Sequence, residues 1–168
     1  MTKNYDLLVS KSLELGAAEA VLVSTDKIVF DDRSYLKCRF GCGRWGNYWT
    51  CPPNLELSPE LFMKAFKNYS QSIFMKVSDP KLGQDIAVAI EKEAMLSHDC
   101  SFAFAMAMCV QCEECAFPEP CRFPHLARPS MDAYGVDIGK TLEPLGFKVE
   151  FDKKGEFIPN WYVMTLLD

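Results

Sequence analysis

The sequence predicts an α/β fold: a single domain over residues 1–168, built on a mixed β-sheet of about five strands with helices packed on it and two cysteine-rich loops at one edge. Three observations lead there. The 168 residues are one domain's length, and 49% apolar with 24% charged is the balance of a soluble globular chain. Short apolar runs alternate with amphipathic stretches, as strands and helices laid against each other require. The eight cysteines are confined to two stretches, three between 38 and 51 and five between 100 and 121, with scaffold around them.

The elements follow in order. Tyr5 to Leu15 suits a helix, with Gly16 as its stop. Glu19 to Phe30 holds Val21-Leu-Val and Ile28-Val-Phe around Thr25-Asp-Lys, which predicts two short strands or one interrupted strand. Asp31 to Leu57, with Gly41, Gly43, Gly46 and Pro52-Pro53, predicts a loop whose glycines let the backbone bend closely around a bound centre. Ser58 as N-cap with Pro59 in the first turn starts a helix reaching about Asn68. Ile73 to Val77 predicts a strand, and Asp85 to Ser97 an amphipathic helix with Ile86, Ala89, Ile90 and Ala94 on one face. Ser101 to Met108 predicts a buried strand, and Cys109 to Pro129, rich in proline, a loop. Ser130 to Ala133 and Asp137 to Leu145 predict helical pieces ended by Gly146. Phe147-Lys-Val-Glu-Phe and Trp161 to Leu167 predict an antiparallel hairpin joined around Lys154-Gly155.

Composition excludes several classes of function. A net charge of -5 has the wrong sign for an electrostatically driven nucleic-acid or anionic-lipid binder. No uncharged stretch is long enough to cross a bilayer, and the first residues lack the basic-then-apolar pattern of a signal peptide. The expected compartment is therefore a reducing cytoplasm, where cysteines bind metal or do chemistry more often than they form bridges. Eight cysteines in 168 residues are also too sparse for a disulfide scaffold. Neither Gly-x-Gly-x-x-Gly nor a P-loop marks a nucleotide site.

The strongest chemical signal is Cys109-Val-Gln-Cys112-Glu-Glu-Cys115, followed by Cys121-Arg-Phe-Pro. Thiols at this spacing surround one compact object from a tight loop, as in the bacterial ferredoxin arrangement for iron–sulfur clusters. The five residues before Cys121 depart from the usual three, so the likeness supports a cluster and not a ferredoxin fold. Zinc sites more commonly use two separated Cys-x-x-Cys pairs. The second group is Cys38, Cys42 and Cys51-Pro52-Pro53. Cys100, at the start of an apolar run, reads as a packed core thiol. Seven candidate ligands remain, one short of two four-cysteine sites. Either Cys109, Cys112, Cys115 and Cys121 close one site locally, or Cys121 crosses to the other group. One site then has an open position or a non-cysteine ligand; His125 is near enough in sequence to be considered, but it reads first as a histidine behind the ligands or at the surface. Arg122 and Arg128 can offset the charge of a thiolate-bound cluster, and Trp45, Tyr48 and Trp49 can cover it from water.

These two motifs, with Trp49-Thr-Cys51-Pro-Pro and Ala127-Arg-Pro-Ser-Met-Asp-Ala-Tyr-Gly135-Val-Asp137, resemble the DUF2284 family of predicted metal-binding proteins over most of the chain. The resemblance implies metal binding, of iron–sulfur type, at Cys38, Cys42, Cys51, Cys109, Cys112, Cys115 and Cys121, and implies no particular reaction. Met108 departs from it, standing where a glycine is expected in relatives.

The expected function is a cytoplasmic iron–sulfur protein carrying one or two [4Fe-4S] clusters, acting in electron transfer or redox sensing with a redox partner protein. Two alternatives stand beside it: an enzyme using an open-site three-cysteine [4Fe-4S] cluster, and a structural zinc-binding module.

Overall fold

The computed structural model describes residues 5–147 and 160–168. The predicted strand after Phe147 and the turn at Lys154-Gly155 lie outside them. Helix α1, Asp6–Glu14, leads into β1, Glu19–Ser24, which a single turn of 3-10 helix at Thr25–Lys27 ends. The second half of the interrupted strand therefore does not enter the sheet, and Phe30 makes one isolated bridge to Val136. Helix α2 spans Arg33–Gly41 and α3 Pro59–Phe66, the latter capped by Ser58 Oγ, which accepts from Leu61 N at 3.2 Å. Strand β2, Gln71–Val77, is followed by α4, Pro80–Ser97, whose start Asp79 caps by accepting from Lys81 N and Leu82 N, both at 2.9 Å. Then come β3, Phe104–Met106, a 3-10 turn at Met131–Tyr134, α5, Ile138–Leu142, and β4, Trp161–Leu167.

Among the described residues the sheet has four strands, not five, in the order β1-β2-β4-β3. It is antiparallel throughout rather than mixed, with Phe74 opposite both Val21 and Met164. The central strands are buried along most of their length because helices cover both faces. Ile73, Met75, Val77, Val163 and Leu167 face α1 and α4, meeting Leu8, Ile86, Ala87 and Ile90. Phe74, Met164 and Leu166 face the other way, toward Phe62, Phe66, Met131, Tyr134 and Leu142. Alternate residues of a strand point to opposite faces, so two cores form back to back. Ala87 takes the place on α4 expected for Ala89, which is exposed. Gly83 lets α4 approach the sheet closely, since a Cβ there would lie 2.8 Å from Val77 Cγ2 and 3.0 Å from Val163 Cγ1. No helix among the described residues is long and apolar enough to cross a membrane.

The largest departure from the sequence reading is α2, which occupies the first part of the predicted first cysteine loop. None of its residues is buried. Its start is held by Asp31, whose carboxylate accepts from Arg33 N at 3.0 Å and Arg33 Nε at 2.8 Å, and whose carbonyl accepts from Ser34 Oγ at 2.7 Å.

Candidate metal centre

The thiols come from two segments far apart in the chain, and direct contacts join them. Helix α2 carries Cys38, and Cys42 follows as its C-cap. Just beyond, Arg44 Nη2 donates to the Cys109 carbonyl at 2.5 Å, while its guanidinium lies over the Tyr48 ring, 3.8 Å from the centroid. Trp49 Nε1 donates to the Glu119 carbonyl at 2.8 Å, and its ring meets Phe117 edge-on at 5.1 Å.

The second segment is anchored on α4 by two buried polar side chains. Gln84 accepts from Val110 N at 2.8 Å and donates to the Leu126 carbonyl at 2.9 Å, spanning the loop that holds Cys112, Cys115 and Cys121. Glu91 Oε2 accepts from Ala105 N at 2.6 Å and from Arg128 Nε at 2.8 Å, and its other oxygen takes Arg128 Nη2. Seven residues apart, Gln84 and Glu91 fall on one face of the helix. Apolar side chains there would leave the loop's polar groups without partners. Ala107 N, donating to the Pro129 carbonyl at 2.8 Å, closes the neck of the loop.

Two cavities lie where the segments meet. The larger, about 320 Å³, is bordered by Cys38, Cys42, Cys51 and Cys109, together with Arg44, Met108, Asp132, Asn160, Trp161 and Tyr162. The smaller, about 20 Å³, is bordered by Cys109, Cys112, Cys115 and Cys121. All seven candidate cysteines are free thiols on one cavity or the other, and Cys109 borders both. Cys100 borders neither. It is fully buried, with its sulfur hydrogen-bonded to the Asp168 carboxylate and accepting from Asp168 N at 3.2 Å.

The larger cavity disfavours thiolates in the metal-free protein. Burial pushes the Cys38 thiol up to about 11, helped by the charges of Asp132, Cys42 and Cys51. Burial likewise pushes Cys51 up to about 11, against the pull of Arg44. A metal centre reverses this balance, because its positive charge favours the ionised sulfur. Among the described residues, two buried donors at the cavity, Arg44 Nε and Asn160 Nδ2, have no hydrogen-bond partner. Thiols crowded beside unpaired donors fit an acceptor-rich, thiolate-bound metal centre.

Among the described residues no three His, Cys, Asp or Glu side chains converge closely enough to grip one metal ion. The thiols frame cavities instead of a point.

Other expected roles fall differently. His125 is exposed and borders neither cavity. Arg128 is committed to Glu91, and Arg122 is exposed, donating to the Glu114 carbonyl at 3.0 Å. Trp45 packs on Tyr35, edge-on at 5.1 Å, and not over the thiols. Of the three glycines, only Gly46 takes a positive φ, 73°, while Gly41 and Gly43 have open space about them. The sequence reading missed Arg44, Gln84 and Asn160. A glutamine or glutamate inside the apolar stripe of α4 was a readable sign for the anchors; nothing local singles out Arg44 or Asn160.

The model of a family described as predicted metal-binding proteins, DUF2284, matches residues 21–167. The chain belongs to the DUF2284 family. No curated protein matches it, and no solved structure does. The match takes in both cysteine segments and the α4 anchors, so the whole framework of this DUF2284 chain's thiol site falls inside the family's span.

Proposed function

We propose that this DUF2284 chain is an iron–sulfur protein of electron transfer or redox sensing, with two adjoining [4Fe-4S] centres. Cys109, Cys112, Cys115 and Cys121 hold one, and Cys38, Cys42 and Cys51 hold the other. The observation that carries the reading is the distribution of seven free thiols around two cavities with Cys109 on the border of both.

Iron–sulfur is favoured over zinc because, among the described residues, no three thiols close on one point. A zinc ion bound at about 2.3 Å to four sulfurs brings them within about 4 Å of one another. A polynuclear cluster holds its ligands farther apart, which suits thiols that frame a cavity. The Cys-x-x-Cys-x-x-Cys spacing favours iron in the same way. When bound, such a centre supplies one-electron transfer at a potential set by local charge, hydrogen bonds to sulfur and solvent. The chain's own contribution is to half-bury Cys38 and Cys51, set the Arg44 cation beside Cys51, and lay Trp49 against Phe117 next to the smaller cavity. Free thiols suit a reducing compartment, the cytoplasm, where the partner is another redox protein.

A second reading, an enzyme acting at the three-cysteine centre, is favoured by the cavity beside it, whose walls include Met108, Met131, Ile138 and Trp161.

Protein purified without oxygen tests the proposal. Cys112→Ser removes the visible absorption of the local centre, and Cys100→Ser leaves it intact. Equal loss in both variants overturns the ligand assignment, and a colourless zinc protein overturns the iron–sulfur reading.

A further inference from the structure

Two four-ligand centres have eight positions, and the seven thiols on the cavities leave one of them open to another ligand. We infer that Asp132 is the eighth, its carboxylate completing the Cys38, Cys42 and Cys51 centre as an exchangeable oxygen ligand. The inference rests on the iron–sulfur reading above and assigns the open position within it.

Asp132 borders the same cavity as those three cysteines, and its charge reaches both Cys38 and Cys51. Other polar neighbours at this cavity suit the position less well. Arg44 is a cation, Thr50, Ser130 and Tyr162 carry hydroxyls, and Asn160 carries a neutral amide whose Nδ2 has no hydrogen-bond partner among the described residues. Glu113 and Glu114 border a separate surface recess with Cys112, which none of Cys38, Cys42 and Cys51 borders. Among the described residues the Asp132 carboxylate makes no hydrogen bond or ion pair, so nothing has to be broken to free it.

The backbone around Asp132 is held firmly. It sits in the Met131–Tyr134 turn, where Met131, Ala133 and Tyr134 are all buried. The Tyr134 ring stacks on Phe62, with centroids 4.0 Å apart and planes 6° from parallel. Gly135, at a φ of 87°, ends the turn, and its carbonyl accepts from Asp31 N at 2.8 Å, tying the turn to the start of α2. Asp132 and Cys38 are thus carried on two elements fastened to each other. A carboxylate is a harder and less electron-donating ligand than a thiolate, and it yields more readily to an incoming ligand on iron.

Cyanide titration of anaerobically purified, reduced full-length protein, followed by electron paramagnetic resonance, tests the assignment. In the wild-type protein, cyanide must displace Asp132 before the spectrum changes. Asp132→Ala is expected to respond at cyanide concentrations lower by on the order of ten-fold or more. Asp132→Cys is expected to keep its iron and stay unchanged at concentrations that alter the wild type, and Asp132→Glu to behave as wild type. Equal cyanide sensitivity of Asp132→Ala and wild type overturns the inference, as does an Asp132→Cys protein that responds like wild type. If Asp132→Ala fails to assemble the centre, the Asp132→Cys comparison decides alone. Failure of the underlying reading is distinguishable, because wild-type protein would then lack iron before any variant is compared.

Discussion

Gln84→Met isolates the anchoring of the second cysteine segment. Methionine is close in volume and keeps helix propensity, so the change removes mainly the two hydrogen bonds to Val110 N and the Leu126 carbonyl. Gln84 is fully buried, so water does not reach its position. Val110 and Leu126 are only half-buried and partly rehydrate. An unpaired buried group costs about 1–3 kcal/mol, and partial rehydration puts each of these near the lower end. The sum is about 2 kcal/mol, or a fall in Tm of roughly 4–8 °C for a chain of this size. Urea unfolding of the metal-free protein, followed by circular dichroism, reads the stability. Absorption after anaerobic reconstitution reads the proposed centre at Cys109, Cys112, Cys115 and Cys121, which on that proposal loses iron faster than in wild type. A Gln84→Met protein with wild-type stability and wild-type iron retention would refute the claim that α4 holds the loop in place.

Two further perturbations have clear signs. Glu91→Ala leaves the Arg128 guanidinium, only 14% exposed, without its counter-ion and is expected to cost about 3–5 kcal/mol, with Arg128→Met in the same chain recovering much of the loss. A cost under about 1 kcal/mol in urea unfolding would contradict the buried pair. The pH dependence follows from raised thiols: unfolded cysteines ionise near 9, whereas folded Cys38 and Cys51 hold their protons to about 11. The unfolded chain thus binds fewer protons over that interval, and stability of the metal-free protein, complete below pH 9, falls as pH rises. The slope is at most about 1.4 kcal/mol per pH unit for each thiol. Tyr134, pushed up to about 12 by burial, extends the decline above pH 10. Thermal melts between pH 8 and 11 check this, and a metal-free protein equally stable across that range would contradict it.

The parts of the fold legible in the sequence are those whose signals are local. Ser58-Pro59 marks the start of α3, and the β2 and β4 runs are apolar because both faces are buried. Helix α2 was illegible for the converse reason: with no buried residue it has no apolar period, and the glycines and prolines after it dominate the reading. The Asp79-Pro80 cap was present to be read, but the apolar stripe of α4 becomes regular only after Asp85. Strand β3 is shorter than expected because an apolar run reads alike whether or not it pairs, and the first residues of this one, Ser101 and Phe102, lie exposed outside the sheet. Antiparallel pairing depends on long-range register, which no local pattern records. At the site, the cysteine spacings single out seven candidate thiols without help from the fold, and all seven border the two cavities. The two-cavity partition, the Arg44 bridge to Cys109 and the place of Asp132 exist only once segments some 70 residues apart are brought together.

Iron and acid-labile sulfide per chain, determined on protein purified without oxygen, test the account most directly. The account predicts iron and sulfide in near-equal amounts, exceeding what a single cluster contains. Zinc without sulfide, or a metal-free chain with Cys109, Cys112, Cys115 and Cys121 joined in disulfides, would contradict it.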